Sequence, residues 1–250
     1  MSKTLVVIPA HADDAELNAG GTIAKWSAEG GQVHVIMMTD NCSGIRVHPE
    51  QCTAQRHAEQ EAAAALYGGT MHYRMYSQRH YWDVDNNRQI SIDYALDGDV
   101  PACLQDRIPL VIAAQEADEV ASLGEQLVSL KPDLVLTQTP LDRDPEHHAV
   151  ASMIWRVFWE RQEELADVSL RFWMPGSNCL DGLMPPPYDH FEDITDHYEQ
   201  KLEFFGCHKS QLTDIRWKMI KERAAYFGGK AGVKYAEPFV TATRDVRFHR

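Results

Sequence analysis

Residues 4–22 read TLVVIPAHADDAELNAGGT. The apolar run at 4–9 predicts a buried strand. His11, Asp13, Asp14 and Glu16 follow at its exit, ahead of a Gly20-Gly21 pair. Adjacent carboxylates repel and are costly to desolvate unless something positive sits between them. Open parallel sheets bind ligands just beyond the carboxyl ends of their strands, where this cluster falls. A divalent cation would explain the clustering. In a turn, residues three apart can face one centre, so His11 and Asp14 are candidate ligands. Asp13 would then point elsewhere, close enough to reach a water at the metal. The competing reading makes Asp13 or Asp14 a helix N-cap and His11 a hydrogen-bonded turn residue.

Working outward, strands are predicted at 32–39, 71–76, 133–138 and 170–175. Helices are predicted at 20–31, 53–69, 116–131, 146–162, 196–212 and 214–232. Strand and helix alternate at a spacing that argues for an α/β, Rossmann-like three-layer sandwich with a mostly parallel sheet. The chain reads as one domain over 1–250. The stretch 77–113 is too long and polar for a simple connection and is expected to be a functional loop or small lobe. A second irregular segment spans 183–193.

The strand DLVLTQ (133–138) repeats the opening pattern. It is followed by TPLDRDPEHHAVA (139–151), with Asp142, Asp144, Glu146, His147 and His148. Two strand ends bearing histidine and carboxylate can converge on one site. His11, Asp14 and either His147 or His148 would make three protein ligands, as a catalytic zinc requires. The same donors suit non-haem iron(II).

The totals narrow the partners. The formal charge of −13 over 250 residues argues against nucleic acid and against an anionic membrane surface. No apolar run approaches the about 18 residues of a membrane span. MSKTLVVIPAH lacks the long apolar core of a signal peptide. Cys42, Cys52, Cys103, Cys179 and Cys207 are scattered and odd in number, which predicts reduced thiols and a cytoplasmic protein.

VIPAHADDAELNAGGTIAKWSAEGGQVHVIMMTD resembles the opening of the PIG-L/LmbE-like family of zinc-dependent N-deacetylases, whose motif runs A-H-P-D-D, a glycine pair, a helix, and a strand ending T-D. RHAEQEAAAALYGG is similar to the family's R-x-x-E…L-G helix, and PDLVLTQTPLDRDPEHHAV to its P-D-x-V…H-P-D-H-x-A. FEDITDHYEQKLEFFGCHKSQL and AGVKYAEPFV resemble its D-I-T…K…H-x-S-Q and Y-A-E-x-F segments. The resemblance implies His11, Asp14 and His147 as zinc ligands, since Ala149 keeps the H-x-A spacing behind His147. It implies Asp13 as general base. It leaves His148 in a slot usually held by another residue, with Arg56 and His148 available to substrate.

Two departures stand out. Ala12 replaces a proline, and Asp144 replaces the histidine that in the family helps stabilise the tetrahedral intermediate. Asp144 is left beside the substrate, and the missing donor is sought in Arg143, His148, His190 or His208, with His208 favoured as a catalytic residue. The implied chemistry is metal-assisted amide hydrolysis of an N-acetylated amino sugar, a small-molecule substrate, by a homo-oligomer. Zinc would lower the pKa of a water from ~16 towards ~7. The lost histidine keeps open a second reading: a metal-dependent hydratase or lyase acting on a small carboxylate.

Other residues have simpler roles. Tyr81 and Trp82 would stack on a sugar ring or pack locally. Trp155, Phe158 and Trp159 share a helical face suited to the core or a subunit interface. His34 reads as structural. His57, Glu59 and Glu61 form one helix face, with Arg56 able to pair with Glu59.

Overall fold

All five residues of the first strand, β1 (Thr4–Ile8), are buried, so both faces of the sheet must be covered. Side chains alternate across a strand, and the core divides accordingly. Leu5 and Val7 pack with Ala19 and Ile23 of α1 (Asp14–Ala28), Ala63 of α2 (Pro49–Leu66) and Phe204 of α6 (Tyr198–Gly206). Val6 and Ile8 pack instead with α3 (Leu110–Ala113), α4 (Ala117–Leu130) and α5 (Pro145–Glu160), through Leu110, Leu123 and Ile154. The result is three layers. The structure, a computed structural model, describes residues 3–92, 100–173 and 188–242.

The remaining strands are β2 (Gln32–Thr39), β3 (Thr70–Tyr76), β4 (His80–Asp83), β5 (Arg88–Ser91), β6 (Leu134–Gln138), β7 (Ser169–Trp173), β8 (His190–Asp193) and β9 (Ala236–Thr241), with β9 preceded by helix α7 (Asp214–Ala231). Seven strands form one sheet in the order β3-β2-β1-β6-β7-β9-β8. The first five in that order are parallel, and β9 runs antiparallel to both β7 and β8. The connection leaves β1 towards β2 on one side, while β6 lies on the other. The crevice between the carboxyl ends of β1 and β6 is therefore the switch point of the sheet. Leu5 pairs with Leu134 and Ile8 with Thr137, which brings residues 9–14 beside residues 139–147.

Several expected boundaries move, each for a physical reason. Helix α1 begins at Asp14, six residues before the predicted start, because Glu16 and Asn18 are buried polar residues that mask the apolar repeat. Gly20 and Gly21 lie within that helix rather than at its entrance. A Cβ at Gly20 would stand 3.1 Å from Lys201 Cγ, and one at Gly21 only 2.7 Å from Ile194 Cβ. These glycines permit the close approach of the α6 region. The helix predicted over 196–212 stops at Gly206, and a short 3-10 turn follows at Lys209–Gln211.

The stretch 77–113 contains the β4–β5 hairpin and the single turn of α3, with 93–99 outside the described residues. Of the segment 183–193, residues 183–187 lie outside the described residues and the rest ends in β8. Phe158 is buried, whereas Trp155 and Trp159 are exposed on the outer side of α5. Cys42, Cys52, Cys103 and Cys207 are free thiols, and Cys179 lies outside the described residues. Among the described residues, no helix is long and apolar enough to cross a membrane.

Candidate active site

Asp13 has φ 97°, a left-handed conformation that costs an ordinary residue of order 1–3 kcal/mol. The twist sends two neighbouring carboxylates in different directions. Asp14 turns back towards His11, whose backbone N–H donates to Asp14 Oδ2 at 2.8 Å. Asp13 turns towards two guanidinium groups. Its Oδ1 accepts from Arg56 Nη2 at 3.2 Å and its Oδ2 from Arg216 Nη1 at 2.5 Å. Arg216 lies on α7, 203 residues away in the chain.

His11 and His147 arrive from the ends of β1 and β6. Three of the atoms gathered there form a closed triangle. His11 Nδ1 stands 3.1 Å from His147 Nε2 and 3.5 Å from Asp14 Oδ2, and His147 Nε2 stands 3.3 Å from Asp14 Oδ2. Nitrogen and oxygen donors about 2.0–2.1 Å from a tetrahedral zinc stand about 3.3 Å from one another. The donor set and its spacing therefore fit a zinc ion. One oxygen of Asp144 is also close, since His11, Asp144 and His147 offer ligand atoms all within 4.8 Å of one another. Asp14 closes the tighter figure.

The far nitrogen of each imidazole is also engaged. His11 Nε2 meets Glu146 Oε2, and His147 Nδ1 meets Asp142 Oδ2 at 2.8 Å. A carboxylate there holds the ring proton on the outer nitrogen and leaves the inner lone pair for a cation. Glu146 is itself held by the backbone N–H of Arg79 at 2.5 Å and by Gln78 Nε2 at 3.3 Å. Burial opposes a charge on His11, yet hydrogen bonds and charge from Asp14 and Glu146 outweigh it and lift its pKa to about 10. Burial likewise raises the carboxyl of Glu146, but His11 prevails and brings it to about 2. The cluster calls for positive charge at its centre, as a proton or as a cation.

The other residues singled out from the sequence fall in different places. Asp144 is the N-cap of α5, where its Oδ1 accepts from the backbone N–H of Glu146 at 2.9 Å. His148 is exposed on the first turn of that helix. Arg56, expected at the substrate or on Glu59, is only 4% exposed. It donates to Ala12 O, to Ser43 O at 3.0 Å and to Asp13, and so is turned into the protein. Glu59 instead accepts from Ser210 Oγ at 2.6 Å.

His208, expected at the reacting centre, is fully buried, with its Nε2 3.1 Å from Glu16 Oε2. The helix ends at Gly206, and the turn that follows carries His208 to the buried Glu16 of α1. Burial disfavours its charged form, but the hydrogen bond and charge of Glu16 prevail and raise its pKa. His190 lies on β8 against Glu192. His34 lies 3.1 Å from His72 across β2 and β3.

Some neighbours of the site carry little sequence signal. Arg216 sits in the helix predicted over 214–232, where its sequence setting does not mark it out. His80 opens β4, where burial lowers its pKa and the charges of Glu146 and Asp144 oppose that fall. Glu16 is visible in the opening stretch, but its partners Gln60, Tyr67 and His208 are not adjacent to it in sequence.

The family model described as PIG-L, GlcNAc-PI de-N-acetylase, matches residues 6–158, more than half of the chain and both halves of the triangle. The chain belongs to the PIG-L family. A relative from Saccharopolyspora erythraea, a 1D-myo-inositol 2-acetamido-2-deoxy-alpha-D-glucopyranoside deacetylase, is 31% identical, with 96% of this chain and 90% of that protein covered. Among solved structures, the N,N'-diacetylchitobiose deacetylase of Pyrococcus horikoshii superposes with TM-score 0.69 at 21% identity, over 96% of this chain and 84% of that one. The 4-carboxy-2-hydroxymuconate hydratase of Pseudomonas putida also superposes with TM-score 0.69, at 17% identity, over 99% of both chains. At such identities these two structures establish a shared fold, and PIG-L membership rests on the family match and the first relative.

Proposed function

We propose that this PIG-L protein is a metal-dependent N-deacetylase that removes an N-acyl group, such as acetyl, from an amino sugar or its glycoside. The observation that carries the reading is the His11–Asp14–His147 triangle, with each outer ring nitrogen on a carboxylate and Asp13 beside it. The Saccharopolyspora relative is named as a deacetylase of an N-acetylated sugar glycoside, which supports the substrate class.

His11, Asp14 and His147 would hold the cation, with zinc the first candidate and iron(II) the second. Such a cation supplies Lewis acidity, which lowers the pKa of water and polarises an amide carbonyl. Glu146 and Asp142 keep protons on the outer nitrogens of His11 and His147. Asp13 is the general base: a carboxylate oxygen takes a proton from the attacking water and returns it to the departing amine nitrogen. Arg56 and Arg216 fix the orientation of that carboxylate, one guanidinium on each oxygen. Arg56 in this reading positions the base, while His148, exposed at the start of α5, remains available to substrate.

The second reading is a metal-dependent hydratase or lyase acting on a small carboxylate. The observation favouring it is Asp144: a carboxylate near the centre opposes a developing oxyanion, and one oxyanion donor is worth about 3–4 kcal/mol. Free-amine release from a panel of N-acetyl amino sugars, with metal-loaded and metal-stripped protein, decides between them. Metal-dependent amine release is expected. No amine from any member, together with hydration of an unsaturated dicarboxylate, would overturn the deacetylase reading.

A further inference from the structure

Asp144 does two things at once. As N-cap of α5 it has φ −70° and ψ 119°, and its Oδ1 accepts from the N–H of Glu146. Capping fixes the side chain over the first turn of the helix that carries Glu146 and His147. It also leaves a carboxylate oxygen within 4.8 Å of the ligand atoms of both His11 and His147. The cap thus holds a carboxylate oxygen in the same cluster as the two imidazole donors.

We propose that Asp144 is a further protein donor to the cation held by His11, Asp14 and His147, so that the centre has two imidazoles and two carboxylates. The proposal rests on the metal-site reading above. A second carboxylate cancels the remaining charge of a divalent ion and adds a hard oxygen donor. Oxygen-rich sets favour manganese(II) and iron(II) relative to a set richer in imidazole. Asp144 in this chain therefore tunes which metal the site retains. A histidine at the same position would add neither the charge nor the second oxygen.

The test is competitive titration of the metal-stripped full chain with zinc(II) and manganese(II) against a chromophoric chelator. Wild type, Asp144→Asn and Asp144→His are compared, and the melting temperature of each metal-free protein is measured. Asparagine is as good an N-cap as aspartate, so Asp144→Asn keeps an oxygen for the Glu146 N–H while losing the charge and the second oxygen. Should that variant fail to fold, Asp144→Ser keeps the cap and removes the carboxylate. The expected result is binding weakened at least about tenfold in Asp144→Asn, with the metal-free melting temperature unchanged. In Asp144→His, the preference for zinc over manganese should rise at least about tenfold. Affinities of Asp144→Asn within twofold of wild type for both ions would reduce Asp144 to a cap and overturn the proposal. A wild-type chain that binds neither ion would overturn the metal-site reading itself.

Discussion

Replacing Glu146 by glutamine changes one atom and removes a charge, yet it should cost the site much of its metal. Glu146 is acceptor-only, and three donors converge on it: His11 Nε2–H, the backbone N–H of Arg79 at 2.5 Å and Gln78 Nε2 at 3.3 Å. Glutamine offers one acceptor oxygen and one NH2 group. The Arg79 N–H belongs to the backbone and cannot turn away, so the oxygen stays with it and the NH2 faces His11. His11 then has two choices. It can keep Nε2–H and lose a hydrogen bond to a charged group, worth about 1.5–3 kcal/mol. Or it can move its proton to Nδ1, the atom that faces the cation. Either route weakens zinc binding by roughly 10- to 100-fold, the usual scale for removing a carboxylate that orients a ligand histidine. Competition titration measures the affinity, and 15N chemical shifts of His11 report which nitrogen carries the proton. A folded Glu146→Gln variant whose zinc affinity stays within about threefold of wild type would refute this account of ring orientation.

Other perturbations separate the roles of neighbouring groups. His147→Ala should lose bound metal and His148→Ala should keep it, since only the first faces the triangle; equal losses in metal analysis would mean that the wrong histidine is assigned. Asp13→Asn should retain metal and lose about 10²- to 10⁴-fold in kcat on an active substrate, and near-full activity would remove Asp13 as the base. Lys201→Met would strand the buried carboxylate of Glu237, which Lys201 Nζ meets at 2.5 Å, at a cost of about 3–5 kcal/mol in urea unfolding; an unchanged midpoint would show the pair to be dispensable. At the far edge, the hydrogen bond from His190, aided by Lys25 and opposed by burial, holds Glu192 at about 2 instead of 4.5. A depressed carboxylate stabilises the fold above its unfolded pKa and loses that contribution as pH falls through the folded value, so the effect fades from about pH 4.5 to 2. Glu192→Gln should lose at most about 3 kcal/mol at pH 7 and show a flatter acid limb; an acid limb identical to wild type would exclude this linkage.

Legibility in the sequence followed the range of the interactions involved. The parallel strands were readable because each is a short apolar run whose burial on both faces is a local property. The histidine and aspartate clusters were readable because strand ends place them near the crevice whatever the loops do. The start of helix α1 is not legible in the sequence because Glu16 and Asn18 are buried against partners elsewhere in the chain: Gln60, Tyr67 and His208 for the first, Arg223 for the second. Such polar residues look solvated until their partners are known. Strand β9 was hidden by Glu237 and Pro238. The carboxylate of Glu237 is satisfied by the N–H groups of Gly21 and Thr22 and by Lys201. Pro238 lies beyond the ladder with β7, which engages residues 239–241, so its missing N–H costs that ladder nothing.

The same distinction divides the site itself. Residue type and spacing point to His11, Asp14 and one of His147 or His148 as candidate donors, because a donor needs only a lone pair in the right place, and the family resemblance selects His147. What sets the direction and proton of each donor is contributed by its neighbours: Glu146 for His11, Asp142 for His147, and Arg56 with Arg216 for Asp13. The first two lie in the quoted cluster, but sequence does not say which carboxylate turns to which ring. Arg216 is separated from Asp13 by 203 residues and reaches it only because α7 packs back along the site. Asp144 belongs to both classes. Its cap is local, set by its place before Pro145 and Glu146 at the start of α5. Its approach to His11 is not local, since it depends on β1 and β6 pairing in register. If Asp144 is a donor as proposed, the cap would tie the start of α5 to the metal. Removing the metal should therefore loosen the first turn of α5 as well as the ligands, an effect that amide exchange at residues 146–148 would detect.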